Sequence, residues 1–302
     1  MIQVYISFVT ASHLYIKGRI LRGRSPMSFP DQGPLSSLFN TILRANSRKL
    51  PNTPISCVFG DHIFVVVTDS EGYFEIFHNI THFTFIPKKV TIRGVVKGEE
   101  IEFDRILRTY QYDVGHGIIS DIDDTILVAN VRSFFRLKLL FNLIFINPFR
   151  RKPIEHASEA LHNMLDKSEG QNPMIYLSNS PWNIYDYLQA FLMHNAFPIG
   201  ELILRDIGFQ LLRSREITEY NKYLELEKLL IVFGETKFTL IGDTGELDFN
   251  IYRAILEKYP ERIEQIILIN VGNKQKIAEV EDYIKNTEIN KIRITNGYND
   301  LL

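Results

Sequence analysis

From Gly117 onward, short apolar runs alternate with helical patterns, and this rhythm constrains the fold more than any other feature of the chain. The runs lie at 117–120, 174–177, 201–204, 238–241 and 266–270, with a last one at 291–295. Helical periodicity fills the gaps, at 156–167, 183–194, 216–233, 249–258 and 274–286. Strands with apolar residues on both faces need cover on both faces. Strands joined through helices run parallel by right-handed crossovers. The expectation is an α/β domain over 113–302: a parallel sheet in three layers with helices on both faces. Ligands of such sheets bind beyond the carboxyl ends of the strands.

Residues 1–112 read differently. Apolar positions alternate over 1–21, and a turn-rich stretch follows with Gly23, Pro26, Pro30, Gly33 and Pro34. A short helix is expected at 36–43, and strands at 63–68, 73–77, 83–86 and 89–96. Asp69-Ser70-Glu71-Gly72 is a turn signal between two of them. Short strands with turn punctuation predict a β-sandwich-like module, and no motif in it carries chemistry.

Composition narrows the function classes. The formal net charge of −2 gives no whole-protein attraction to nucleic acid, so no nucleic-acid partner is expected. Cys57 is the only cysteine, which excludes an intramolecular disulfide and fits a reducing, cytoplasmic setting. The first residues alternate like a strand rather than a signal peptide. The longest apolar-rich stretch, 134–149, is interrupted by Arg136, Lys138, Asn142 and Asn147. A membrane span needs about 20 apolar residues.

Polar residues gather where the strands of the α/β domain end. The first ends in Asp121-Ile122-Asp123-Asp124-Thr125. The second ends in Ser178-Asn179-Ser180-Pro181-Trp182, and the fourth in Gly242-Asp243-Thr244-Gly245-Glu246-Leu247-Asp248. Lys222 lies in the helix before that fourth strand. Several carboxylates around one point repel each other and suit a hard divalent cation such as Mg²⁺. An aspartate two positions after a nucleophilic one can move protons. A hydroxyl and an ammonium suit phosphoryl oxygens, and attack by an aspartate would give an aspartyl-phosphate. Taken singly, each segment has a plainer reading. SDIDDT alone is a solvated acidic turn or a helix N-cap, and Ser178 alone a helix-capping hydroxyl. Lys222 alone is a surface lysine, and Asp248 alone the N-cap of a helix starting at Phe249.

The set Asp121-x-Asp123-x-Thr125, Ser178, Lys222 and Gly242-Asp243 with Asp248 resembles the four motifs of the haloacid dehalogenase-like phosphatase superfamily. A closer resemblance covers most of the chain. SDIDDT, YLSNSPWNIY, LILRDIG and LIGDTGELDFNIY are similar to the catalytic region of the actin-patch phosphatidate phosphatase family and its bacterial relatives. GYFEI and VTIRGVV are similar to the β-rich region that precedes it. The resemblance implies a Mg²⁺-dependent enzyme acting on phosphatidate or a related lipid phosphate. It implies Asp121 as nucleophile and Asp123 as acid and base, with its main-chain carbonyl on the metal. It implies Thr125 as a loop-orienting residue near the substrate. Ser178, with Asn179 beside it, would bind phosphoryl oxygens that Lys222 neutralises. Asp243 would hold Mg²⁺, and Asp248 would assist as a ligand or position Lys222. Asp124 receives no role. The family often has a basic residue in the last strand-end segment, where this chain reads Leu268-Ile269-Asn270-Val271, and a histidine where Asn221 stands.

Between Asp124 and Glu155 there is no acidic residue. Arg132, Arg136, Lys138, Arg150, Arg151 and Lys152 mix with Phe134, Phe135, Phe141, Phe145 and Phe149. This cap-like insertion, at about 130–153, is expected either to pack on the protein's own core or to meet a membrane surface through 131–152. Two other function classes stay open. One is a phosphatase of a soluble metabolite or phosphoprotein; the other is a binding protein that keeps the site without turnover.

Overall fold

The computed structural model describes residues 1–22, 48–96, 98–110, 115–128, 148–165, 172–205, 215–245, 247–287 and 290–302. The helix expected at 36–43 and most of the insertion, 130–147, lie outside them. The chain forms two compact units, one drawn chiefly from residues up to 112 and the other chiefly from 113 onward.

The first unit holds two sheets. One runs β3 (Arg48–Lys49), β2 (His13–Arg22), β1 (Ile2–Val9), β9 (Arg108–Thr109), with β6 (Tyr73–Asn79) also on β2. The other runs β5 (His62–Val67), β4 (Pro54–Phe59), β7 (Lys89–Val96), β8 (Glu99–Ile106). All pairings are antiparallel except the short β1–β9 contact. Ile16, Ile20 and Phe74 from the first sheet share one buried core with Ile55, Cys57, Val90 and Ile92 from the second. Two sheets with a common core satisfy the inward faces of both. The alternating start is a hairpin rather than one strand, because the chain reverses at Thr10–Ser12 and β1 pairs β2.

Residues 83–86, read as a strand, form none. The amide of Phe83 closes a turn on the carbonyl of Ile80 (2.9 Å), and its ring stacks on His62 at 3.8 Å. The turn signal at 69–72 does hold. Asp69 Oδ1 accepts the amides of Glu71 (2.8 Å) and Tyr73 (2.9 Å).

The second unit is built on six parallel strands in the order β12 (Glu201–Arg205), β11 (Met174–Pro181), β10 (His116–Ser120), β13 (Lys237–Asp243), β14 (Ile263–Ile269), β15 (Ile292–Thr295). Helices α1 (Ala157–Leu165), α2 (Tyr185–His194), α3 (Arg215–Val232), α4 (Asp248–Lys258) and α5 (Lys274–Thr287) flank it. Ile118, Ile119, Ile175, Leu240, Ile241 and Ile266 are fully buried along the strands. From β10 the chain builds outward through β11 to β12, then returns to β13 on β10's other side. That reversal opens a crevice at the carboxyl ends of β10 and β13, where open α/β sheets take their ligands.

Candidate active site

Three motif-bearing strands, β11, β10 and β13, are immediate neighbours, so their ends converge. Asp121 directly follows β10. Its amide donates to the carbonyl of Ile241 (2.8 Å), which extends the β10–β13 pairing by one residue. The chain then turns tightly on the carbonyl of Ile122, which accepts the amides of Thr125 (3.3 Å), Ile126 (3.0 Å) and Leu127 (3.0 Å). A turn this tight needs a left-handed residue, and Asp124 supplies it at φ 55°. Aspartate tolerates that region better than most side chains. The third carboxylate of SDIDDT thus has a backbone reason for its place.

Lys222 reaches the same point from α3. Its Nζ donates to Asp121 Oδ1 (2.8 Å) and to Asp248 Oδ1 (2.6 Å). The three side chains are only 1%, 8% and 6% exposed, which sets aside a surface role for the lysine. Asp248 is the first residue of α4 and does not act as its N-cap, since Leu247 holds that position. Its second oxygen accepts the amide of Asp243 (3.2 Å). The carboxylate therefore lies against Gly242, where an added Cβ would come within 2.4 Å of Asp248 Oδ2. Only glycine leaves that space. Asp243 in turn accepts the amide of Gly245.

Asp121, Asp243 and Asp248 each offer an oxygen, and these three atoms lie within 4.8 Å of one another. Among the described residues, one ammonium, that of Lys222, faces three carboxylates. Burial pushes Asp121 up to about 8; Lys222 pulls against that, while Asp248 and Asp123 add to it. Asp243 is raised well above the usual carboxylate range, by burial first and then by Asp248 and Asp121. Lys222 is held well above its usual range: burial opposes its charge, but Asp121 and Asp248 outweigh burial. The cluster is short of positive charge, and an all-oxygen donor set suits a hard divalent cation.

The carboxylate of Asp123 sits in a second group. It accepts Ser180 Oγ (3.2 Å) and, at longer range, Ser178 Oγ (3.4 Å). Burial raises its pKa, and the hydrogen bond from Ser180 opposes the rise. Both serines belong to β11 itself, which runs to Pro181 rather than stopping at 177. Its register on β12 shifts between Leu177 and Pro181. Ser178 caps no helix; its Oγ accepts the amide of Ser180 (3.0 Å). Asn179 is partly exposed between them. Thr125 is fully buried, and its hydroxyl has no partner among the described residues. Trp182 is 1% exposed and packs toward Tyr185.

The family described as phosphatidate phosphatase APP1, catalytic domain, matches residues 116–270, which run from the start of β10 to just past β14 and include every residue of both groups. The chain belongs to that family. Among relatives of the APP1 catalytic domain, phosphatidate phosphatase APP1 of Saccharomyces cerevisiae is 28% identical over 264 residues, covering 82% of this chain and 43% of that protein. The uncharacterized protein C29B5.04c of Schizosaccharomyces pombe is 30% identical over 215 residues, covering 69% of this chain and 34% of that protein. The chain thus spans less than half the length of either relative. Among solved structures, the Pnkp1/Rnl/Hen1 complex overlays at a TM-score of 0.36 with 15% identity, covering 59% of this chain and 56% of that one. That likeness is too low to carry an argument.

Two features of this APP1-like site lay outside the sequence reading of it. Ser180 holds Asp123, and the S-x-S spacing on one strand was its available signal. Tyr252 is fully buried, with its ring 5.6 Å from Lys222 Nζ and its hydroxyl on the carbonyl of Ile241 (3.1 Å). Nothing in the spacing marks it. Among the described residues, no helix is long and apolar enough to cross a membrane.

Proposed function

We propose that this chain is a Mg²⁺-dependent phosphatase of the haloacid dehalogenase-like kind, hydrolysing a lipid phosphomonoester such as phosphatidate through an aspartyl-phosphate on Asp121. The observation that carries this reading is Lys222 bridging Asp121 and Asp248 in a buried group with Asp243. Those carboxylates fit the metal: three oxygens converge, and among the described residues the Lys222 ammonium alone is paired with them. Asp121, Asp243 and Asp248, with the main-chain carbonyl of Asp123, would hold Mg²⁺, which when bound supplies positive charge at the reacting phosphoryl group.

Lys222 orients Asp121 through Oδ1 and places an ammonium where phosphoryl charge develops. An oxygen of Asp121 forms a bond to phosphorus as the ester oxygen–phosphorus bond breaks. Asp123 donates its proton to the departing alkoxide, and its raised pKa suits that task. Asp123 then takes a proton from water, whose oxygen displaces Asp121 from phosphorus and releases inorganic phosphate. Ser178, Asn179 and Thr125 line the phosphoryl group's side of the crevice. The lipid assignment is supported by the family and by the basic, aromatic composition of 131–152, through which the chain would touch a membrane surface from the cytoplasmic side.

The test is a phosphate-release panel with Mg²⁺. It compares short-chain phosphatidate, lysophosphatidate, sugar phosphates and phosphopeptides. Preferential release from the lipids is expected. Release from the soluble esters alone would reject the lipid assignment, and release from none would reject the phosphatase. Liposome flotation tests the membrane contact: equal binding to neutral and anionic vesicles, unchanged by Arg132→Glu with Lys138→Glu, would sink it.

A further inference from the structure

Among the buried donors of the second unit with no partner among the described residues are Arg151 through Nε and Nη2, Tyr187 through its hydroxyl, and Thr125 through Oγ1. Arg151 is 7% exposed, Tyr187 3% and Thr125 0%. Unmet buried donors are rare and costly, above all when one is a permanently charged guanidinium.

The backbone explains how they meet. The insertion closes where it began: Leu127 pairs with Pro153, Val128 donates to the carbonyl of Lys152 (3.2 Å), and Ile154 donates to that of Ile126 (2.9 Å). Leu127 is also bridged to Asp123, so this clamp returns residue 151 to the Asp123 loop. The one-turn helix just before it, Pro148–Arg150, meets α2, with the ring of Phe149 edge-on to His194 at 5.2 Å. Tyr187 lies on α2. The charge of Arg151 is felt by both Asp123 and Tyr187, where it opposes the rise that burial causes. Asp123 nevertheless takes its hydrogen bonds from Ser180 and Ser178 and leaves the guanidinium's Nε and Nη2 free. Arg150 and Lys152, the neighbours of Arg151 in the basic run, are exposed. Arg151 is thus set apart from a lipid-facing surface.

We propose that Arg151 and Tyr187 form an anion pocket that holds phosphoryl oxygens of the substrate on the Asp123 side of the site, opposite Lys222. A guanidinium presents a planar fork that matches two oxygens of one phosphoryl group. Thr125, at the floor of the same loop, supplies a third donor. Arg151, at the end of the insertion, thereby joins the site. This assignment rests on the phosphatase reading for what the anion belongs to, but the pocket itself can be measured without turnover.

The probe is inorganic phosphate, titrated calorimetrically into the full chain with Mg²⁺ present. Arg151→Gln is expected to weaken phosphate binding roughly tenfold to a hundredfold, since hydrogen bonds to charged groups are the strong ones. Tyr187→Phe is expected to weaken it severalfold, Arg151→Lys to retain part of it, and Arg93→Gln, on the exposed face of the sandwich, to leave it unchanged. The KM for phosphatidate is expected to rise in the same order. Unchanged phosphate affinity and KM in Arg151→Gln would overturn the pocket, whether or not the melting temperature falls. So would a wild-type chain that binds no phosphate. If Arg151→Gln does not fold, Arg151→Lys and Tyr187→Phe decide the matter by the same readout. Failure of the phosphatase reading looks different: no ester is cleaved, yet phosphate binding still depends on Arg151.

Discussion

The two units handle charge in opposite ways. In the sandwich, ion pairs such as Arg93 with Glu102 lie on outer strand faces, each side chain more than half exposed. Its core side chains from Ile16 to Ile92 are apolar, and the buried Arg19 gives its Nε to the carbonyl of Glu71 (2.8 Å). In the α/β unit, Asp121, Lys222 and Asp248 are removed from water at the strand ends, and Asp243 is close to them. Exposed pairs contribute little to stability, whereas burying charge costs free energy that its mutual attraction barely offsets. A chain keeps the second arrangement for what the charge does. The contrast locates function without reference to any motif.

Removing Lys222 breaks the contrast most severely. Lys222→Met leaves the buried carboxylates of Asp121 and Asp248, with the half-buried Asp243 beside them, uncompensated. It is expected to destabilise the chain by about 3–5 kcal/mol in urea unfolding and to abolish phosphate release. A variant as stable as wild type would mean that the carboxylates are already neutral without it.

The next effect is on pH dependence. Asp121, raised to about 8 from its ordinary 3.8, and Asp243, also raised, bind their protons more tightly in the folded chain. The stability they contribute is complete below the ordinary value and is lost as pH rises through the folded one. The melting temperature in EDTA is therefore expected to fall between about pH 5 and pH 8, and Mg²⁺ is expected to flatten that slope. A metal-free melting temperature that stays level or rises over this range would contradict the electrostatic account. The smallest effect belongs to the sandwich: Arg93→Ala is expected to cost about 0.2–1 kcal/mol and to leave phosphate release at the wild-type rate.

How much of this could be read from the sequence depended on whether a feature was local. The strands of the α/β unit were legible because apolar runs between helical patterns admit few other folds, and β10 through β15 all appear close to where they were expected. β4 and β8 were not. β4 begins at a proline, and β8 is a charged edge strand whose EEIEFDRI looks like surface. The segment 83–86 misled in the other direction, because aromatic content suggested a strand where Ile80 and Phe83 close a turn. In the site, strand-end carboxylates announced themselves through order and spacing. What spacing could not show was which side chains become buried beside them. Ser180, Tyr252 and Arg151 depend on the bulge in β11, the face of α4 and the clamp at Leu127–Pro153. Asp124 shows the same limit: its charge drew notice, but its backbone conformation explains it.

The central claim is that Asp121 attacks phosphorus. The most direct measurement follows phosphate release from short-chain phosphatidate with Mg²⁺, alongside mass spectrometry of the acid-quenched chain. The wild type is expected to turn over and to carry a phosphoryl group on the peptide containing Asp121. Asp121→Asn is expected to stay folded, carry no phosphoryl group and lose at least about a thousandfold in rate. Turnover by Asp121→Asn near the wild-type rate would contradict the account.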